Sequence, residues 1–284
     1  MAEKTGNPTR PRLPDFRTPP VAEVALSLQF DPLHLLRTPH LGLLWEQYRE
    51  SFPKFEEQAP LPPAVEWFGL PTSGVFAPQV ELLTAPLMPR CLFISERGSE
   101  LVQVQQDRFV FNWRKLKEDD SYPRYEYVRA GFEKQLQVFQ EFMAKENIGD
   151  LAPNQCEVTY VNQLLSGHGW EHPGQLDKLV TVWRNEYSDQ FLMEPEDVRL
   201  AMRYVIRDGD KPIGRLHVNI EPRFSTIHRL PVIVITLTAR GAPPTKDLAG
   251  VFDFFDIGRK WIVSAFASIT TNEMHRNWGR LDEC

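Results

Sequence analysis

The sequence predicts an α+β fold: one large, antiparallel-rich sheet of about eight strands, with two long helices packed on one face. Three observations predict it. Segments with an apolar residue at every second position come in groups separated by tight turns. Two long segments carry apolar residues three and four apart, as amphipathic helices do. The order strand–helix–three strands–long helix occurs twice along the 284 residues.

Residues 1–20 are polar and hold Pro8, Pro11, Pro14, Pro19 and Pro20. They read as an extended arm with nothing to bury, whose first eighteen or so residues are dispensable for folding. Residues 21–150 form the first β-α-β-β-β-α repeat and residues 151–284 the second, within one continuous globular unit. The first repeat opens at 23–30, where Val24, Leu26, Leu28 and Phe30 alternate with Glu23, Ser27 and Gln29. A short amphipathic helix at 40–52 follows. Proline crowds residues 53–89. Because proline removes ladder donors and disfavours helix in the residue before it, this stretch should be mostly loop with short extended pieces. A hairpin turns around Gly98 within 90–106, and a third strand covers 107–114. The long helix at 122–143 has the stripe Tyr125, Val128, Phe132, Leu136, Phe139 and Phe142. The acids at 118–120 and Ser121 suit its positive N-terminal end.

The second repeat opens with a strand at 157–164. A helix is expected at 174–183, then a hairpin of 197–209 and 213–221 around Asp208–Gly209. A buried strand at 230–239 leads to a last helix from about Thr245, taken as its N-cap after Pro243–Pro244, to about His275. The two opening strands share the pattern Glu-Val-x4-Gln-apolar, at 23–30 and 157–164, which suggests an internal duplication.

Composition limits the function. The net charge of −6 disfavours a protein that coats nucleic acid, which needs a basic surface. Cys91, Cys156 and Cys284 are odd in number and include no CxxC pair, so neither a disulfide framework nor a thiolate metal site is expected. The N-terminus lacks an apolar stretch of signal-peptide length, and the longest apolar run, 230–237, falls far short of a membrane span. A soluble cytoplasmic protein without a membrane partner or cofactor is the expectation. No GxSxG, GxxxxGK[ST], GxGxxG or HExxH occurs. The loop HGWEH at 168–172 is broken by glycine, so His168 and His172 read as surface residues. The Trp in RNWGR, at 276–280, reads as a cover for the end of the core.

One surface stands out. If Phe109, Phe111 and Trp113 face the helices, the opposite face collects Gln103, Gln105, Arg108, Asn112 and Arg114. Glu23, Ser27, Gln29, Glu157, Thr159, Gln163, Arg199, Arg203, Arg207, Arg215, His217, Asn219 and Glu221 join them. Lysine is absent from this set, and Gln, Asn, Arg and His have fixed hydrogen-bonding geometry. Against the plain reading, a solvated sheet face, stands a recognition surface made by Gln103, Gln105, Arg108, Asn112 and Arg114. It would suit a small polar ligand, a peptide or a protein partner, a second copy of the chain included. The function expected is a non-catalytic binding protein. The alternative is a hydrolase-like enzyme with a site assembled from the dispersed residues Arg108, Asn112, Glu157 and His217. If this face is the recognition surface, Ala at Arg108 and Asn112 should change stability by no more than about a kilocalorie per mole, as exposed substitutions do.

Several segments carry a resemblance: PPVAEVALSLQFDPL, HLGLLWEQYRESFP, LVQVQQDRFVFNWRK with YPRYEYVRAGF, CEVTYVNQL, and FASITTNEMHRNWGR near the C-terminus. From Pro19 to Arg280 the chain resembles a sporadically distributed, uncharacterised family of bacterial proteins of similar length. The central block is the specific part. The resemblance implies a bacterial origin and one continuous unit; it implies no reaction and no catalytic residue.

Overall fold

Alternation of large apolar residues makes the strands. The computed structural model describes residues 13–68, 88–189, 191–225 and 229–281, and among them nine strands join in a single antiparallel sheet. In chain order the elements are β1 (Val21–Phe30), α1 (Thr38–Tyr48), β2 (Lys54–Gln58), β3 (Arg90–Ile94), β4 (Glu100–Gln105), β5 (Arg108–Arg114), α2 (Tyr125–Lys145), β6 (Pro153–Leu165), β7 (Leu200–Asp208), β8 (Lys211–Ser225), β9 (Leu230–Gly241), α3 (Leu248–Ile269) and α4 (Asn272–Trp278). The spatial order is β2-β3-β4-β5-β1-β6-β9-β8-β7. The two strands that open the halves of the sequence, β1 and β6, therefore lie side by side at the centre.

Cross-strand register shows where the core sits. Phe111, Leu26, Val158, Ala239 and Leu216 form one row across β5, β1, β6, β9 and β8, and all are buried. Opposed residues in an antiparallel pair share a face, so this row marks one side of the sheet. The backbone of α2 meets it at Gly131, where an added Cβ would lie 2.5 Å from the Phe111 ring. The backbone of α3 meets it at Gly258, where a Cβ would lie 3.0 Å from Val158 and 3.2 Å from Ala239. Phe109 packs between Phe132 and Phe139 of α2, at 5.5 and 5.6 Å. Phe132 meets Phe255 of α3 edge-on at 5.0 Å. Apolar area removed from water by these rings holds the helices to the sheet.

The structure departs from the sequence expectation in several places. A ninth strand, β2, comes out of the proline-rich stretch; the exposed charges of Lys54, Glu56 and Glu57 on this edge oppose pairing with other chains. Residues 69–87 of that stretch lie outside the described residues, as do residues 1–12 of the arm and Cys284. No α-helix forms at 174–183. Pro173–Lys178 is a 3₁₀ turn, and the backbone beyond it pairs with the end of α3. There Thr181 N donates to Ile269 O, and Thr271 N donates to Leu179 O. The last helix is split, because Thr270 is extended and Thr271 caps α4. The N-cap of α3 is Asp247, which accepts from Gly250 N at 2.8 Å, while Thr245 only donates to Asp247. Helix α2 starts at Tyr125, beyond the acids; Asp120 instead accepts from the backbone of Leu116 and Lys117 and closes a turn.

The arm has something to bury. Phe16 is 5% exposed and packs edge-on against Phe266 and Trp278, with a strand bridge to Arg280. Trp278 in turn stacks on Phe266 at 5.1 Å. The described part of the arm is thus a piece of the core, against the sequence expectation. Among the described residues, no helix is long and apolar enough to cross a membrane.

Candidate functional site: a polar sheet face that clasps residues 59–68

The side of the sheet away from Phe111 carries the polar set singled out by alternation. Its central members are not exposed: Asn112 is 2%, Gln105 3%, Gln29 5% and Arg108 8% accessible. Residues 59–68 run across them without regular structure of their own. Proline suits this path, since Pro60, Pro62 and Pro63 keep the backbone extended and need no ladder donor.

The sheet holds that segment largely by its main chain. Gln105 forms a two-point contact with Leu61, accepting from its N–H at 2.9 Å and donating to its carbonyl at 2.9 Å. Gln29 Oε1 accepts from Ala64 N at 2.9 Å. Arg108 Nη2 donates to Pro62 O at 3.0 Å and to Gln29 Oε1 at 2.7 Å. Gln155 adds a long 3.5 Å contact to Glu66 N. Arg108 Nε has no partner among the described residues. A space of about 10 Å³ lies beside this side chain, the size of one water.

Glu66 closes the clasp by charge. Its carboxylate accepts from Arg215 Nη1 at 2.5 Å and from His217 Nε2 at 2.6 Å, and Arg240 lies 3.6 Å away. Arg215 also donates to Trp67 O and stacks on Phe68 with its guanidinium 4.4 Å from the ring centre. Arg240 is fixed from its other side by Glu157 at 2.5 Å. Burial pushes the Glu66 carboxyl up, but the hydrogen bonds from His217 and Arg215 and the charges of His217 and Arg240 outweigh it. The group is held below its usual range. Glu23 goes the other way: burial raises it, and the Asn112 hydrogen bond and the Arg114 charge offset that only in part.

Each residue expected in the site has a definite place. Gln105 and Arg108 touch the clasped segment. Gln103, half-buried, donates to Asn112 Oδ1 at 3.0 Å, and Asn112 Nδ2 donates to Glu23 at 2.8 Å. Arg114 reaches the turn at Gly98, donating to its carbonyl at 2.9 Å. Arg108 and Asn112 are therefore buried and bonded, which corrects the expectation that their loss is nearly free. Of the residues considered for catalysis, Glu157 and His217 meet one cluster through Arg240 and Glu66, whereas Arg108 and Asn112 bond elsewhere. Sequence reasoning missed Glu66, Gln155 and Arg240. The one signal for Glu66 was an acidic side chain at the end of a proline-rich extended piece.

Other reactive groups lie apart from this face. Cys91 and Cys156 are buried and unpaired; burial, with Glu57 nearby, pushes the Cys91 thiol up to about 11. His172 pairs with Glu194 at 3.3 Å. Among the described residues, no three His, Cys, Asp or Glu side chains gather where a metal ion could be held. No family model matches the chain, and neither the curated proteins nor the solved structures contain a match. The class is therefore defined by architecture: an α+β protein built on a large antiparallel sheet.

Proposed function

We propose that this is a non-catalytic binding protein whose polar sheet face takes up an extended polypeptide, with residues 59–68 as the occupant held in cis. One observation carries the reading. Gln29, Gln105 and Arg108 address backbone groups of Leu61, Pro62 and Ala64, and such bonds accept any extended chain. Specificity comes from Glu66, read by two charged or polar donors in fixed geometry. The partner is a protein that presents an extended, proline-containing segment ending in an acidic side chain and displaces residues 59–68. The enzyme reading has less support, because the polar groups it needs are bonded to other parts of the protein.

The same reading includes a duplicated build, with both long helices on one face and the other face left for recognition. Register supports it. Ala25 and Thr159 hold the same place in the two Glu-Val segments and pair with each other, with Glu23 opposite Val161 and Ser27 opposite Glu157. Strand β5 flanks β1 as β9 flanks β6, and β4 and β3 follow as β8 and β7 do. Arg114 lies opposite Glu23 as Arg240 lies opposite Glu157. A reducing cytoplasm suits the two unpaired thiols.

The test is a fluorescein-labelled peptide of residues 57–68, titrated into the full chain and into its Glu66→Ala variant. Saturable anisotropy is expected with the variant, whose own segment is weakened. Binding to the parent chain should be at least about tenfold weaker, because a tethered segment competes at high effective concentration. No saturable binding to either protein overturns the proposal.

A further inference from the structure

On the helix side of the sheet, remote from the clasp and independent of it, lies a cavity of about 660 Å³. This is the size of a small-molecule site. Its floor is the sheet, at Tyr160 and Asn162; its walls come from the start of α2, the middle of α3 and the arm. Phe16, Ile262, Val263 and Phe266 make much of the lining apolar.

The polar groups divide by depth. At the mouth, Arg259 pairs with Glu126 at 2.9 Å, and Arg124 pairs with Asp15 at 2.7 Å. These side chains keep 30–67% of their surface accessible, so each charge meets its opposite and water. At the floor, Tyr160 and Asn162 are 4% and 2% exposed. The hydroxyls of Tyr122 and Tyr160 bond each other at 3.0 Å. Only one proton lies between two oxygens, so the other phenol proton has no acceptor among the described residues. Asn162 Nδ2 donates to Ile235 O at 3.1 Å, which leaves its Oδ1 and second amide proton for an occupant. Burial raises both phenols, Tyr160 to about 12, so the floor offers neutral groups at physiological pH.

We propose that this cavity binds a neutral amphipathic small molecule, an apolar ring body with a hydroxyl, carbonyl or amide head seated on Tyr122, Tyr160 and Asn162. An anionic head at the floor would be met directly by neutral donors, because Arg259 and Arg124 already pair with Glu126 and Asp15 at the mouth, and such donors do not offset its loss of water. A cationic head would compete with cations already present: the guanidinium of Arg259 covers Tyr125 at 4.8 Å, and that of Arg124 lies over Tyr122 at 5.9 Å.

Calorimetric titration of the full chain with 2-naphthol, 2-naphthoate and 2-naphthyltrimethylammonium tests this. The expected result is one saturable site for 2-naphthol, at least about tenfold tighter than for either charged analogue. The double variant Tyr122→Phe/Tyr160→Phe should weaken 2-naphthol about fivefold, the worth of one hydrogen bond. Val263→Trp, which fills the cavity from its wall, should abolish binding. Equal or tighter binding of a charged analogue overturns the proposal, as does absence of 2-naphthol binding to the parent chain. Unchanged binding by a cooperatively melting Val263→Trp protein overturns it as well. If the double Phe variant does not fold, the analogue ranking and Val263→Trp decide.

Discussion

Replacing Glu66 by Gln should loosen residues 59–68 while the sheet stays folded. The Glu66 side chain is 7% exposed, and its three neighbours, Arg215, His217 and Arg240, are 12%, 22% and 26% exposed. Charge-assisted hydrogen bonds contribute about 1.5–3 kcal/mol each. Solvent screening of the partly exposed cations favours the low end. A glutamine keeps an acceptor for one donor and loses the charge for all three. The net loss should be about 2 kcal/mol, a factor of about thirty in the equilibrium for opening the clasp. Amide hydrogen exchange reads this directly. The N–H groups of Leu61 and Ala64 bond only to Gln105 and Gln29 side chains, so their exchange should speed up about thirtyfold. The amides of β1 and β6 should keep their rates. If Leu61 and Ala64 stay protected while β1 and β6 exchange faster, Glu66 supports the whole fold and the clasp reasoning fails.

Three further outcomes are expected. The Glu66 carboxyl is held below its ordinary value of 4.5, so its stabilising effect is complete above that pH and is lost as pH falls through the folded-state value. Thermal melts of the parent and Glu66→Gln proteins should therefore converge as pH falls from 4.5 through that lower value, and a gap that widens on acidification would contradict this. Asn112→Ala strips Glu23 of a donor and Gln103 of an acceptor, and should cost about 2–3 kcal/mol in a denaturant melt; a cost under about 0.5 kcal/mol would return this face to the ordinary solvated kind. Phe16→Ala and Phe111→Ala each remove a buried ring and should cost about 3–5 kcal/mol. An unchanged melting temperature for Phe16→Ala would mean that the arm is not seated on α4.

Much of the fold was legible because it is written in short periods. The alternation of Val24, Leu26, Leu28 and Phe30, and of Phe109, Phe111 and Trp113, marked two central strands. The stripe from Tyr125 to Phe142 marked α2. Gly98 and Gly209, both at positive φ, marked the hairpin turns, where glycine adopts a left-handed backbone without strain. Reading failed where a distant partner outbid the local preference. The segment 174–183 has helical spacing, yet its backbone is engaged by the end of α3. Thr270 and Thr271 sit inside the helix expected to run to about His275, yet they end one helix and cap the next.

The candidate site divides the same way. Alternation by itself placed Gln103, Gln105, Arg108 and Asn112 on one face, because side chains two apart on a strand must share a side. It could not tell what covers that face. Glu66 lies 149 residues from Arg215 and 151 from His217, and no local period connects residues so far apart. Only the tertiary structure brought the proline-rich segment across the glutamines, and the arm down onto α4. The physical reason is that burial and hydrogen-bond satisfaction are properties of the assembled surfaces, whereas strand and helix periods belong to the chain.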